Sequence, residues 1–230
     1  MQVDVYGTVG IYVPRGQFRL EVERIEATGG DGLWQLALDQ LRTRLRGEGL
    51  LDDARKRPLP PFAERVGVVT SQEGSVLFDM HTTMRRRAWW IPMLVSPCSV
   101  EGMKAAPEIA AAIRRFGTEA RGCPVDVVIV ARGGGSRESL WAFNSEPVAR
   151  AIVGCPVPII SAIGHETDFT LADEVADVRA ATPTAAAQRA VPDGRALQEG
   201  MEAQREEIRS RMLRHCRLPA AGCRLPGSKA

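Results

Sequence analysis

Two short stretches of this chain carry the residue types that phosphate and proton chemistry need: Arg132-Gly133-Gly134-Gly135-Ser136 and Gly164-His165-Glu166-Thr167-Asp168. Each directly follows an apolar run of strand length, Val125 to Ala131 and Val157 to Ile163. Glycines after a buried strand let backbone N–H groups approach an anion without a side chain in the way. The arginine beside them adds a planar, permanently charged fork of donors that matches phosphate oxygens. A tight strand-to-helix turn with an incidental arginine would be spelled the same way. No lysine follows the glycines as in a Walker loop, the Gly-x-Gly-x-x-Gly spacing is missing, and Glu138 stands where a Gly-x-Ser-x-Gly elbow needs its last glycine. In the second stretch, His165 can act as acid or base near neutral pH, and Asp168 can orient it, position water or hold a metal. His-x-x-Asp alone names no reaction, and a structural histidine is the plainer reading of His165 taken alone.

These loops need a scaffold, and residues 65–191 supply one as an alternation of strands and helices. Arg65 to Thr70, Ile91 to Ser96, Val125 to Ala131 and Val157 to Ile163 are the strands, with helical patterns around 74–87, 105–120 and 139–153 and another after Asp168. Runs apolar on both faces and joined by helices predict an α/β fold, a parallel sheet with helices on both faces. Right-handed crossovers then bring every strand C-terminus to one edge, where such sheets bind ligands. Three loops arrive there: Thr70 to Ser75, which includes Ser71, and the two already described. Asp79, four residues past Ser75, reads either as a solvated helix-surface carboxylate or as part of that edge. Arg85-Arg86-Arg87 closes its helix, where it complements the dipole or meets nucleic-acid backbone, and Trp89 and Trp90 suit core or rim packing or base stacking.

The flanks read differently. Residues 1–28 alternate apolar and polar side chains around Pro14-Arg15-Gly16, which predicts a β-hairpin. Two strands alone are marginal in water, so the hairpin calls for a surface to pair with or pack on. In 29–64 a helix over Leu33 to Leu45 leads into the basic, proline-stiffened linker Arg55-Lys56-Arg57-Pro58-Leu59-Pro60-Pro61, a solvated spacer or a phosphate-facing strip. Residues 192–215 carry Leu197, Met201, Ile208 and Met212 at gaps of four, seven and four, the start of a helical or coiled-coil seam, and 216–230 are proline-punctuated and expected to be disordered. A net charge of +2 argues against a polybasic tail but not against a local basic groove. Five cysteines without a Cys-x-x-Cys pair favour neither disulfides nor a zinc knuckle, and no run suits a signal peptide or a bilayer span. The expectation is a cytoplasmic chain without a membrane partner.

Taken together, these motifs resemble the large subunit of exodeoxyribonuclease VII. The resemblance runs through Arg65 to Ser71, Gly74 and Asp79, Asp126 to Ser136, Leu140-Trp141 and Phe143-Asn144, Gly164 to Asp168, and Ala176 to Ala187. It implies a partial OB-fold at 1–28 that binds single strands, a catalytic domain at 65–191, a C-terminal helical region, and two partners, single-stranded DNA and a small subunit. It also implies hydrolysis of phosphodiester bonds in single-stranded DNA to short oligonucleotides. The catalytic residues fall on Asp79, Arg132, His165 and Asp168, and the phosphate or DNA contacts on Ser71, Gly133, Gly134, Gly135, Ser136 and Asn144, with the linker's Arg55, Lys56 and Arg57. Whether a metal takes part is open; a divalent cation such as Mg2+ would find candidate ligands in Asp79 and Asp168. Two departures stand out. Ser139 replaces an acidic residue before Leu140-Trp141, and both the five-stranded OB-fold and the helical region are short, so the chain reads as truncated at both ends. An inactive remnant that only binds single strands and a phosphate-ligand module remain as alternatives.

Overall fold

The computed structural model describes residues 3–12, 17–27, 30–72, 75–117, 125–134, 137–164 and 169–216. Strands β1 (Val3–Tyr12) and β2 (Gln17–Ala27) form the expected antiparallel hairpin, with a register shift at Tyr6/Gly7. Among its described side chains, Tyr6, Val9, Phe18, Leu20 and Val22 lie exposed, Phe18 at 82%. Helix α1 (Gly30–Gly47) follows and buries Leu38 and Leu45.

Five parallel strands make the central sheet: β3 (Val66–Thr70), β4 (Met93–Pro97), β5 (Val127–Ala131), β6 (Ile159–Ala162) and β7 (Val178–Arg179), in the spatial order β4-β3-β5-β6-β7. Alternation along each strand sends Val66, Val68, Val127, Ile129, Ile160 and Ala162 to one face, where α2 (Ser75–Ala88) and α6 (Pro183–Ala190) cover them. Val69, Val128, Val130 and Ile159 face the other way, into a core shared with α1, α3 (Ala105–Gly117), α4 (Glu146–Val153) and α5 (Leu171–Val175). The α/β expectation, helices on both faces, is what the structure has.

The boundaries differ in instructive places. The helix expected over 139–153 is two pieces, a 3-10 segment Arg137–Asn144 and then α4, because Ser145 is extended (φ −106, ψ 146) and Pro147 cannot sit in a helix interior. Strand β7, two residues long, was too short for a period-two pattern to show. The helix expected over 105–120 is described as far as Gly117. Helix α7 (Gly194–Cys216) forms where the seam predicted one, and Met201, Ile208 and Met212 lie exposed along it. Its root is fixed to α2: Arg87 pairs with Asp193 at 3.0 Å, and a Cβ on Gly194 would lie 2.5 Å from the Arg87 carbonyl oxygen. Cys216, expected in the disordered tail, is the last residue of α7, and 217–230 lie outside the described residues.

Candidate active site

The sheet runs outward in both directions from β3 and β5. Parallel sheets of this kind bind ligands beyond the strand C-termini at the point where the order reverses. That point is the gap between Ser71 and Arg132, and a cleft opens there. Its outer compartment, about 680 Å3, is lined by Ser71, Gln72, Cys98, Ser99 and Glu101, and its inner compartment, about 240 Å3, by Asp79, Ile163, Gly164, Thr182 and Thr184. Ser75, Val76, Arg132, Gly133 and Gly134 border both.

Each wall residue is held by the sheet or by a helix start. Arg132 lies one residue past β5, yet its N–H still donates to the Ala162 carbonyl at 3.2 Å, so the β5–β6 ladder fixes its place, and it is only 5% exposed. Asp79 is exposed on α2 one turn from Ser75 and reaches the inner compartment from the helix side. Opposite it, Thr182 caps α6, accepting from the Ala185 N–H at 3.1 Å and lying 3.0 Å from the Thr184 hydroxyl. The N-termini of α2 and α6 thus open on the same space, where their dipoles favour an anion. Thr70 Oγ1, buried at the end of β3, has no hydrogen-bond partner among the described residues. Burial first, then the Glu108 charge, raise the Cys98 thiol to about 11 against the pull of Arg115, so at neutral pH it is a protonated wall group and not a nucleophile.

Beyond Gly164, His165 to Asp168 lie outside the described residues, as do Gly135 and Ser136 and the side chain of Ser139. On the far side of the histidine loop Thr170 starts α5 with a capping box, and the buried Asp173 carboxylate accepts from Ser161 Oγ at 2.7 Å, Thr170 Oγ1 at 2.7 Å and Thr170 N–H at 2.9 Å. Asn144 Oδ1 accepts from the Leu171 N–H at 2.8 Å. The described residues on both sides, Gly164 and Thr170 to Asp173, are therefore tied to β6.

A family model described as exonuclease VII, large subunit, matches residues 50–223. Proteins named exodeoxyribonuclease 7 large subunit are 50% identical in Thioalkalivibrio sulfidiphilus (84% of this chain, 42% of that protein) and 47% identical in Geotalea uraniireducens (94% and 47%). The chain belongs to the exonuclease VII large-subunit family. It spans a little under half the length of these curated relatives.

Within this family member, the structure brings Asp79, Arg132, Gly133 and Gly134 together with Gly164, the root of the His165 loop, and places Ser71 at the outer compartment. The linker cations lie elsewhere. Arg57 forms a two-point ion pair with Asp177 and donates to the Cys155 carbonyl at 2.6 Å, Arg55 donates to the Val175 carbonyl at 2.7 Å, and Lys56 pairs with Asp53 at 2.8 Å. Asp177 also accepts from Ile159 N–H, so the Arg57 clamp closes on the N-terminal edge of β6, opposite the cleft. Neither a solvated spacer nor a phosphate-facing strip describes Arg55 and Arg57; they fasten the linker to the sheet. Asn144, expected as a DNA contact, has its carbonyl oxygen committed to the start of α5. Thr182 and Thr184 were missed as cleft residues, although Thr182-Pro183 is a legible helix start following a strand-sized gap. Among the described residues no three His, Cys, Asp or Glu side chains cluster to hold a metal. No helix among them is long and apolar enough to cross a membrane.

Proposed function

We propose that this chain carries the phosphodiester-hydrolysing centre of an exodeoxyribonuclease acting on single-stranded DNA. The observation behind this reading is that Asp79, Arg132, two glycine amides and the root of the His165 loop share one cleft at the order-reversal point of the sheet. In the reading, Arg132 and the Gly133 and Gly134 amides hold the scissile phosphate and the charge that grows on its oxygens. His165 moves a proton, and Asp79 and Asp168 orient the attacking water. Water oxygen bonds to phosphorus, the bond to the departing sugar oxygen breaks, and that oxygen takes up a proton. A Mg2+ ion, for which Asp79 and Asp168 would be the ligands, would supply further charge neutralisation. Among the described residues that line the inner compartment, Asp79 is the one carboxylate. Residues 1–28 and a small subunit partner belong to the same reading, as contributors to strand binding and assembly in the cytoplasm.

The test is cleavage of end-labelled single-stranded DNA, with and without a small subunit, by the chain and by Arg132→Ala and His165→Ala variants. Release of short oligonucleotides, reduced by about 100-fold or more in the Arg132 variant, is the expected result. Strand binding without product in the unsubstituted chain would instead favour a binding-only remnant.

A further inference from the structure

We infer that the outer face of α2 is a track for single-stranded nucleic acid that leads into the cleft; the inference rests on the nuclease reading. Phe78, Thr82, Arg85 and Trp89 recur at gaps of four, three and four, which puts them on one stripe of α2 and the turn after it. Phe78 is 71% and Trp89 77% exposed, and Arg85 and Arg86 are exposed between them. The structure divides the sequence's basic and aromatic run in two. Arg87 is engaged by Asp193, and Trp90, though 47% exposed, lies against Gly194, whereas Arg85, Arg86 and Trp89 face solvent.

Two grooves follow the stripe. One of about 390 Å3 is lined by Phe78, His81, Thr82, Arg85 and Arg86, and one of about 540 Å3 continues past Arg85 and Trp89 to the edge strand β4. No carboxylate is among the described residues lining either. Rings that bases can stack on, alternating with guanidinium charges and free of acid, complement a polyanion with flat bases and read no sequence. A protein partner would not require that charge bias. The stripe starts at Phe78, whose chain neighbour Asp79 lines the inner compartment, and extends about 16 Å at 1.5 Å per residue. A strand lying along it would arrive at the proposed scissile position.

Fluorescence anisotropy of the 230-residue chain on labelled oligodeoxythymidylate tests this, together with hydrolysis of bis-p-nitrophenyl phosphate, a substrate too small to reach beyond the cleft. Phe78→Ala and Trp89→Ala should each weaken strand binding by about 5-fold or more. The double variant Arg85→Ser, Arg86→Ser should make the slope of log affinity against log salt shallower by about 1.4, from ~0.7 per phosphate contact. All should hydrolyse the small ester at the unsubstituted rate, which also shows that they fold. Photocrosslinking of an iodouracil-substituted strand to the unsubstituted chain should mark Phe78 or Trp89. Unchanged affinity and slope in every variant overturn the track, as do crosslinks confined to other segments. Affinity, slope and crosslinks are read without turnover, so failure of the nuclease reading and failure of the track are separate results.

Discussion

Gly133 and Gly134 are neighbours in the loop, but their surroundings ask different things of them. A Cβ on Gly133 would lie 3.1 Å from Val76 Cγ2 and press on the start of α2, whereas one on Gly134 would meet nothing within 4 Å. Neither is among the positive-φ glycines of the described residues, which are Gly49 and Gly102. Gly134→Ala should therefore leave the fold intact, or raise its stability by about 0.4–1 kcal/mol through the unfolded chain. If its amide cradles the phosphate, the new methyl group stands in the way and kcat/KM on single-stranded DNA should fall about 100-fold. A thermal melt and a cleavage assay on the same sample check both; full activity would move the phosphate away from Gly134. Arg132 was legible as a candidate because a charged residue follows a wholly apolar strand. Its place in the cleft comes from a backbone hydrogen bond that its N–H donates to the Ala162 carbonyl, thirty residues on, which local sequence does not encode.

At the scale of elements, α5 is only five residues long and owes its position to the Asp173 carboxylate. Asp173→Asn keeps the shape but replaces an acceptor facing the Thr170 donors, or the one facing Ser161, with an N–H2 group. Unfolding in urea should show a loss of about 1–3 kcal/mol. If the network positions the His165 loop, kcat on single-stranded DNA should fall while Kd for the strand stays near that of the unsubstituted chain; a change in Kd alone would argue against positioning. Long elements with a clear apolar period, α2, α3, β3 and β5, were readable to within a few residues. What was not readable was set by single residues: Pro147 splits a helix, and β7 is too brief to have a period. The hydrogen bond from Leu171 N–H to Asn144 Oδ1 was not readable either, because a polar side chain near a loop looks alike whether it meets a ligand or caps the next helix.

At the scale of the molecule, the Arg57–Asp177 clamp ties the linker to the far edge of the sheet. Burial raises the Asp177 carboxyl, but hydrogen bonds from the Arg57 side chain and backbone and from Ile159 outweigh it and leave it below its ordinary value. A depressed carboxyl contributes stability above its unfolded pKa of about 4, and that contribution is lost as pH falls through the folded value. Asp177→Ala should cost about 3 kcal/mol near neutral pH, since it strands a part-buried guanidinium, and should flatten the acid limb of a stability-against-pH curve measured by denaturant titration. Strand order, by contrast, was beyond the sequence: alternation predicted a parallel sheet and its ligand edge but not that β3 and β5 would flank the opening. Helix α7 adds a mechanical consequence. About 35 Å long at 1.5 Å per residue, it is bolted at one end to α2 by the Arg87–Asp193 pair and by the contact that only glycine permits at position 194. Torque applied at its distal end has a long arm, and the pivot is the helix that carries Asp79.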